Sequence, residues 1–366
     1  MSKKTRVLVL FGGRSGEHEV SLQSAASIIS AMDPNVYEVI PMAINQQGEW
    51  LPGERAVSLL EGKLDVPQLE GLKKGTTTSL ISQGTGKLPT FSLSELDVVF
   101  PVLHGTYGED GTVQGLLELA DVAYVGAGVM ASAVGMDKVM MKKVFAQEGL
   151  PQGNFTFFLR RQIEQDLDQV VAAIEEKFSY PCFIKPANLG SSVGISKAKD
   201  REGLITALNL AAQYDRKVIV EEFIQGREIE VAVLGNEEPI VSVPGEIIPS
   251  NEFYDYRAKY IDGKSQEQIP ANLSKEATEK VRQLAIQCFK AIDGSGLARV
   301  DFFVTKDEKI YVNEINTMPG FTPYSMYAKL WEYSGIPYSE LISRLIELAK
   351  ERYREKKKLI TTYKVE

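Results

Sequence analysis

Cysteine, histidine and long apolar runs are what this 366-residue chain has least of. Its two cysteines, Cys182 and Cys288, stand far apart and without metal-ligand spacing. That argues against a disulfide framework and for buried thiols in a reducing compartment. The only histidines are His18 and His104. No apolar run approaches the length of a membrane span, so no membrane partner is expected. No basic block is long enough for a nucleic-acid groove, and Lys356–Lys358 reads as a solvated helix end. The opening MSKKTRVLVLFGG lacks the apolar core and cleavage site of a signal peptide, so a cytoplasmic enzyme is the expectation.

What is present is ordinary for a globular protein: 44% hydrophobic residues, 25% charged, net charge −8 and mean hydropathy −0.12. At this length two or three domains are expected. Arg6–Phe11 (RVLVLF) is a continuous apolar run, the pattern of a parallel strand buried on both faces. Gly12, Gly13 and Gly16 follow, then a helix from about Glu19 to Met32. Strand, glycine loop and helix open a doubly wound α/β unit, whose ligands sit beyond the strands' carboxyl ends. The glycines do not fit G-x-G-x-x-G, so a dinucleotide fingerprint is not supported. Glu17 lies where it could reach such a ligand or simply cap the helix.

Val36–Ala43 and Leu96–Val102 read as further strands, and Ala123–Val125 as a short one. His104 opens the glycine-rich run His104–Gly111, which suits close backbone approach to a ligand. A histidine satisfied by backbone is the competing reading there. Residues 51–93 are polar and aperiodic and match no functional motif. A helix opened by Met136–Lys143 stops at Gly149-Leu150-Pro151, a hinge into a second domain. Tyr180–Pro186 reads as a strand carrying Lys185 towards its end. After it Gly190 and Gly194 bracket Ser191 and Ser192, a loop able to close over phosphates or to be a plain turn. Lys217–Val220 leads into Glu221–Glu230, fitting an adenine hinge or a charged edge strand. Ser250–Gln268 is a long aperiodic stretch whose tyrosines, Tyr254, Tyr256 and Tyr260, argue for function rather than disorder. Leu273–Ile292 is an amphipathic helix capped at Asn272 or Ser274, and Pro337–Lys356 the last helix.

Between those helices, ARVDFFVTKDEKIYVNEINTMPG (Ala298–Gly320) reads as a β-hairpin. With Asp307 and Glu308 as the turn, Asp301 faces Glu314 and Arg299 faces Asn316, all on one face. Opposed carboxylates repel, so a cation between them is implied. Two carboxylates and an amide suit Mg²⁺ completed by substrate phosphates. A surface hairpin with solvated charges is the bland alternative, and Asp-Glu is a poor two-residue turn. Phe303 shares the face of Asp301, where it could floor a base or belong to the core.

FGGRSGEHEVS, HGTYGEDG, GMDK, KPANLGSSVG, EEFIQGREIEV, EFYDYRAKY, ARVDFF and NEINTMPGFTPYSM occur in that order along the chain. Together they resemble the ATP-grasp ligases, and within them the D-alanine–D-alanine ligase family. Each motif alone is weak; the eight in one order are specific. The resemblance implies an α/β N-terminal domain with a doubly wound parallel sheet near 1–126. A two-lobed ATP-grasp fold of α+β type would follow, with a lid near 127–220 and a catalytic domain near 221–366. ATP would lie between the last two, with Lys138, Lys185 and Ser192 at phosphates. Glu221 and Ile224 would lie at the adenine edge, Phe303 beneath the base and Glu228 on the ribose. Asp301, Glu314 and Asn316 would hold two Mg²⁺ ions, with Mn²⁺ able to substitute.

The implied reaction joins two D-alanines through a D-alanyl phosphate, for peptidoglycan precursors. By the same resemblance Glu17 would bind the first substrate's ammonium, with His104 near that D-alanine. Ser325 and Met326 would receive the second substrate's carboxylate, with Lys259 nearby. Arg299 and the Gly320 N–H would stabilise the oxyanion, and a triad of Tyr260, Ser191 and Glu17 would close the long loop against water. The Lys259-Tyr260 pair favours an amine acceptor over D-lactate. Ligases of D-lactate or D-serine are the nearest rivals, and a nucleotide-binding regulator or another ATP-grasp ligase the more distant ones. A homodimer through the N-terminal domain is also implied.

Overall fold

In chain order, β1 (Thr5–Gly12) leads into α1 (His18–Ala31), β2 (Tyr37–Ile44), β3 (Trp50–Pro52), α2 (Glu54–Ser58) and α3 (Val66–Gly75). The short β4 (Ile81–Ser82) and β5 (Thr90–Phe91) follow, then β6 (Val98–Val102) and α4 (Thr112–Leu119). The structure, a computed structural model, describes residues 3–75, 81–82, 90–91, 96–190, 193–248 and 266–360. The first sheet has the order β3-β2-β1-β6, with β1 parallel to β2 and β6. Val7–Phe11 are buried throughout, as a continuous apolar run between two helical layers must be. The expected strand at Ala123–Val125 reduces to one parallel bridge, Tyr124 to Val99. Two backbone bonds flank it, Val99 N–H to Ala123 O and Val125 N–H to Val99 O. The chain then turns away at Gly126, whose φ of +100° ends any strand there.

Next come α5 (Val129–Met136), α6 (Lys138–Gln147), β7 (Phe155–Leu159), α7 (Arg160–Gln165) and α8 (Leu167–Lys177). They are followed by β8 (Cys182–Pro186), β9 (Ser196–Ala198), α9 (Arg201–Tyr214) and β10 (Lys217–Glu222). The antiparallel second sheet, β7-β10-β8-β9, carries α8 and α9 on one face, and Val171, Ile174, Leu204 and Leu208 pack into its own core. Asp166 and Asp200 start those helices by accepting N–H bonds from Gln169 (3.0 Å) and Gly203 (2.8 Å).

The remainder is β11 (Arg227–Gly235), β12 (Ile240–Val241), β13 (Gly245–Ile248), β14 (Gln266–Gln268) and α10 (Lys275–Ala291). After these come β15 (Gly296–Val304), β16 (Ile310–Asn316), α11 (Met326–Tyr333) and α12 (Tyr338–Lys357). The third sheet runs β14-β13-β11-β15-β16, with β12 beside β11. Ser274, one of the two expected caps, accepts the Ala277 N–H at 3.1 Å and starts α10. The end of the stretch read as one long loop is β14, paired antiparallel with β13; the rest of it lies outside the described residues. α10 and α6 close one face of this sheet around Val231, Val300, Phe289 and Phe145. The core under α11 and α12 is continuous with the first sheet, Trp331 and Leu341 belonging with Phe100 and Val7. Along β15 burial alternates, so Arg299, Asp301 and Phe303 share the face turned away from α10. Cys182 and Cys288 are both buried free thiols, as expected.

Candidate active site

The hairpin of β15 and β16 sets the centre of the site. Arg299 faces Asn316, and Asp301 faces Glu314. From Phe302 towards the turn the register slips by one residue, leaving Asn313 as a bulge. Arg299 holds Asp301 bidentately, Nε and Nη2 each donating at 2.7 Å, and lies 3.1 Å from Glu230. Lys138 Nζ lies 3.2 Å from Glu314 and donates to the Leu189 carbonyl at 3.2 Å. The opposed carboxylates are therefore each neutralised by a side chain of the protein. Burial works against the Arg299 charge, yet Asp301 and Glu230 hold its pKa well above the ordinary value.

Two cavities meet at this hairpin. The first, of about 320 Å³, collects Glu17, His104, Arg299, Asn316, Gly320 and Ser325, with Lys138 and Met326 also on its wall. The second, of about 360 Å³, lies between the second and third sheets and is lined by Lys185, Glu221, Ile224, Glu228, Asp301 and Phe303. Glu230 and Glu314 line both. Of the residues singled out from sequence, Ser191, Ser192, Lys259 and Tyr260 lie outside the described residues; every other one stands on one of these two walls.

In the first cavity Glu17 occupies the N-cap position of α1, but its side chain makes no capping bond. It reaches between two glycines instead: a Cβ on Gly105 would lie 2.8 Å from Glu17 Oε2, and one on Gly190 2.9 Å. Only residues without side chains leave room for that carboxylate. His104 Nδ1 donates to the Met318 carbonyl (3.0 Å), and its Nε2 accepts from Ser24 Oγ (3.3 Å). Burial lowers its pKa, with Glu17 and Met318 opposing. With both nitrogens engaged and the ring neutral, His104 holds the wall rather than moving a proton. Ser325 Oγ pairs with Thr322, accepting its N–H at 3.0 Å, and faces Gly320, whose Cβ would lie 3.3 Å away.

In the second cavity Glu221 receives Lys142 on Oε1 (2.8 Å) and Lys185 on Oε2 (2.6 Å). Burial alone would raise its pKa, yet the two ammonium groups hold it down at about 2. Burial lowers and Glu221 raises the pKa of Lys185, with a net upward shift. Because the Glu221 carboxylate is committed to the lysines, any contact it makes to a base falls to its main chain. Phe303 on β15 and Phe183 on β8 both line this space from their own sheets.

Lys142, Glu230 and Glu109 are the site residues that sequence reading missed. Lys142 had a signal, standing one helical turn after Lys138. Glu230 had one too, alternating with Glu228 along β11. Glu109, buried with its carboxyl on the Gly105 N–H (2.8 Å), had none beyond its motif.

The donor set fits a divalent cation. Asp301 and Glu314 offer carboxylate oxygens and Asn316 an amide oxygen, a hard-oxygen set that substrate phosphates would complete. Among the described residues no three His, Cys, Asp or Glu side chains cluster as a metal cage. No helix among the described residues is long and apolar enough to cross a membrane.

Comparison with known proteins gives this arrangement a family. The family model described as D-ala D-ala ligase N-terminus matches residues 6–127, and D-ala D-ala ligase C-terminus matches residues 144–347. The D-alanine–D-alanine ligase of Geobacillus thermodenitrificans is 53% identical over 98% of this chain and 99% of its own. That of Natranaerobius thermophilus is 52% identical over 99% of both. Among solved structures, the D-alanine–D-alanine ligase of Coxiella burnetii superposes with a TM-score of 0.81 at 39% identity, covering 98% of this chain and 97% of that one. The VanG D-Ala:D-Ser ligase of Enterococcus faecalis gives 0.80 at 36% identity, covering 95% and 100%. Matches that span the whole length, at half or more of the positions, leave one conclusion: the chain belongs to the D-alanine–D-alanine ligase family.

Proposed function

We propose that this chain joins two D-alanines into D-alanyl-D-alanine with conversion of ATP to ADP and phosphate, supplying peptidoglycan precursors. The observation that carries the reading is the meeting of the two cavities at Glu314 and Glu230. A nucleotide lying between the second and third sheets would present its γ-phosphate at that junction, next to an amino acid held beside Glu17. Lys138 and Lys185, with Ser192, bind the phosphates; Glu221 and Ile224 border the adenine above Phe303, and Glu228 takes the ribose. Asp301, Glu314 and Asn316 hold two Mg²⁺ ions, or Mn²⁺ in their place. When bound, those ions offset phosphate charge and polarise the γ-phosphoryl group.

Glu17 binds the ammonium of the first D-alanine, with His104 as the wall behind it. The carboxylate of that D-alanine attacks the γ-phosphorus, giving D-alanyl phosphate and ADP. The amine of the second D-alanine, its carboxylate held by Ser325, Met326 and Lys259, then attacks the acyl carbon. The carbonyl becomes an oxyanion that Arg299 and the Gly320 N–H stabilise, and inorganic phosphate leaves as the carbonyl re-forms, carrying off the proton that the amine gives up. The buried ion pairs of Arg299 keep it charged and aimed while this happens. Tyr260, Ser191 and Glu17 close the site against water, which an acyl phosphate requires. The lobes we assign are residues 1–126, 127–220 and 221–366, in a cytoplasmic homodimer joined through the first.

Incubation with ATP, Mg²⁺ and D-alanine tests the reading by mass detection of D-alanyl-D-alanine and release of phosphate. Product formed only when D-lactate or D-serine is added would overturn it in favour of the other acceptor classes. ATP binding without turnover on any acceptor would favour a regulatory protein.

A further inference from the structure

On the nucleotide side of the site, three buried charges are arranged as a relay. Glu221 has one lysine on each carboxylate oxygen, Lys142 at 2.8 Å and Lys185 at 2.6 Å. The side chains of Lys142 and Glu221 are 4% and 9% exposed, so neither has water to fall back on. Lys142 stands four residues after Lys138 on α6, and the two reach two carboxylates, Glu221 and Glu314, that border the same cavity. Its backbone is fixed as well, its carbonyl accepting Gln152 Nε2–H at 2.7 Å beside the turn that leads into the second sheet. Lys185 is differently placed. It stands near the end of β8, 11% exposed, just ahead of the 187–194 loop.

We propose that Lys142 is a positioning residue of the nucleotide site: it keeps the Glu221 carboxylate neutralised while Lys185 leaves that carboxylate for a phosphate. The inference rests on the reading that Lys185 contacts phosphate. A buried carboxylate that loses its last cation is strongly disfavoured. With a second lysine in place, Lys185 can turn to the nucleotide and Glu221 still has a partner. Without Lys142, Lys185 is the one remaining counter-ion of Glu221 among the described residues, and Glu221 competes with the ligand for it. Lys142 thus acts through Lys185 and touches no substrate atom.

Equilibrium binding of Mg·ADP and of adenosine to the full-length protein separates this from a merely structural role. Lys142→Met is expected to weaken Mg·ADP by at least roughly tenfold, the scale of one charge-assisted hydrogen bond. Adenosine, which has no phosphate, should bind as it does to the unaltered chain. In the double variant Lys142→Met with Glu221→Gln, which has no stranded carboxylate, Mg·ADP binding measured relative to that variant's own adenosine binding should recover to within about threefold. The double variant also keeps the test decisive should the single variant fail to fold. Equal loss of adenosine and Mg·ADP, unchanged Mg·ADP binding by the folded single variant, or a folded double variant that still binds Mg·ADP weakly relative to adenosine would each overturn the proposal. Lys185→Met distinguishes the underlying reading: if it leaves Mg·ADP binding intact, Lys185 does not contact phosphate and the relay falls with that reading. If it alone weakens binding, only the role of Lys142 is lost.

Discussion

Glu109 shows how far burial can carry one carboxyl from its ordinary chemistry. Desolvation, with Glu17 close by, pushes its pKa from 4.5 up to about 8, while the Gly105 N–H and Lys138 pull the other way. A folded pKa above the unfolded one means that the native state holds the extra proton. The stabilisation is fully present below about 4.5 and is lost as pH rises through about 8. Glu109→Gln keeps an oxygen for the Gly105 N–H and cannot ionise. Its unfolding free energy should therefore fall less between about pH 6 and pH 9 than that of the parent; parallel curves from denaturant titrations would show that Glu109 is not the group responsible. Gly105 invites a steric test. Its φ is +79°, and a Cβ there would meet Glu17 Oε2. Gly105→Ala should cost about 1–2 kcal/mol of stability and raise KM for D-alanine, and a KM that does not move would show that Glu17 needs no such gap. The sequence made Glu17 and Gly105 visible, because their motifs place a carboxylate and glycines at strand ends. It could not reveal the protonation of Glu109, which depends on Glu17 and Lys138 closing in from other parts of the chain.

Among the elements, the hairpin was legible for a reason that is partly luck. A two-residue Asp307-Glu308 turn was expected. The turn has three residues, Lys306–Glu308, closed by the Thr305 N–H to Lys309 O bond, with Glu308 at φ +56°. That shifts every pair near the turn by one, Phe303 facing Tyr311 rather than Val312. The bulge at Asn313 adds the residue back, so Asp301 and Glu314 oppose each other after all. Turn type and bulges depend on twist and tertiary fit, which alternation of polar and apolar residues does not encode. The second sheet was less legible. The helices α8 and α9 carry aspartate caps, yet of this part of the chain only β8 and β10 were expected, from their apolar runs. Two predictions belong here. Glu314→Gln keeps the shape of β16 and removes one charge that faces Asp301. It should leave stability within about 1 kcal/mol of the parent and lower kcat for dipeptide synthesis by at least roughly two orders of magnitude; near-normal turnover would remove the metal role. Gly12→Ala should fail in the opposite way. Its Cβ would lie 2.2 Å from the Ile44 carbonyl at φ +91°, where only backbone can yield. Loss of the folded state, not of catalysis alone, is expected, and a stable variant at the parent's melting temperature would contradict the packing of β1 on β2.

At the scale of the whole molecule, the two cavities differ in what must be held together to form them. Among the described residues, the second cavity, proposed for the nucleotide, is lined from Lys142 to Glu314. The first cavity, proposed for the amino-acid substrates, joins Glu17 and His104, from the segments that follow β1 and β6, with Arg299 from the third sheet and Ser325 from the turn before α11. Its shape therefore depends on how firmly the first sheet is tied to the third. The shared core beneath α11 and α12 supplies the bulk of that tie, and α12 adds a polar clasp. Arg352 Nη1 donates to the Gly126 carbonyl and to Ser295 Oγ, and Nη2 donates to the Tyr124 carbonyl at 3.2 Å. Its guanidinium also stacks 4.3 Å from the Tyr124 ring centroid. Tyr353 donates to the Asp121 carbonyl at 3.0 Å, and Lys356 and Lys357 pair with Glu118 and Asp121. The outer pairs are exposed and contribute little. Arg352 is half-buried and bonded to two carbonyls and a hydroxyl. Arg352→Met should cost about 2–3 kcal/mol of stability, read from urea unfolding. It should raise KM for D-alanine several-fold while leaving KM for ATP near its starting value, because the clasp, which lines neither cavity, ties together the two parts of the chain that only the first cavity spans. A variant that raised both constants alike would place the damage in the shared hairpin. One that changed neither would mean that the hydrophobic core alone sets the spacing between Glu17 and Arg299.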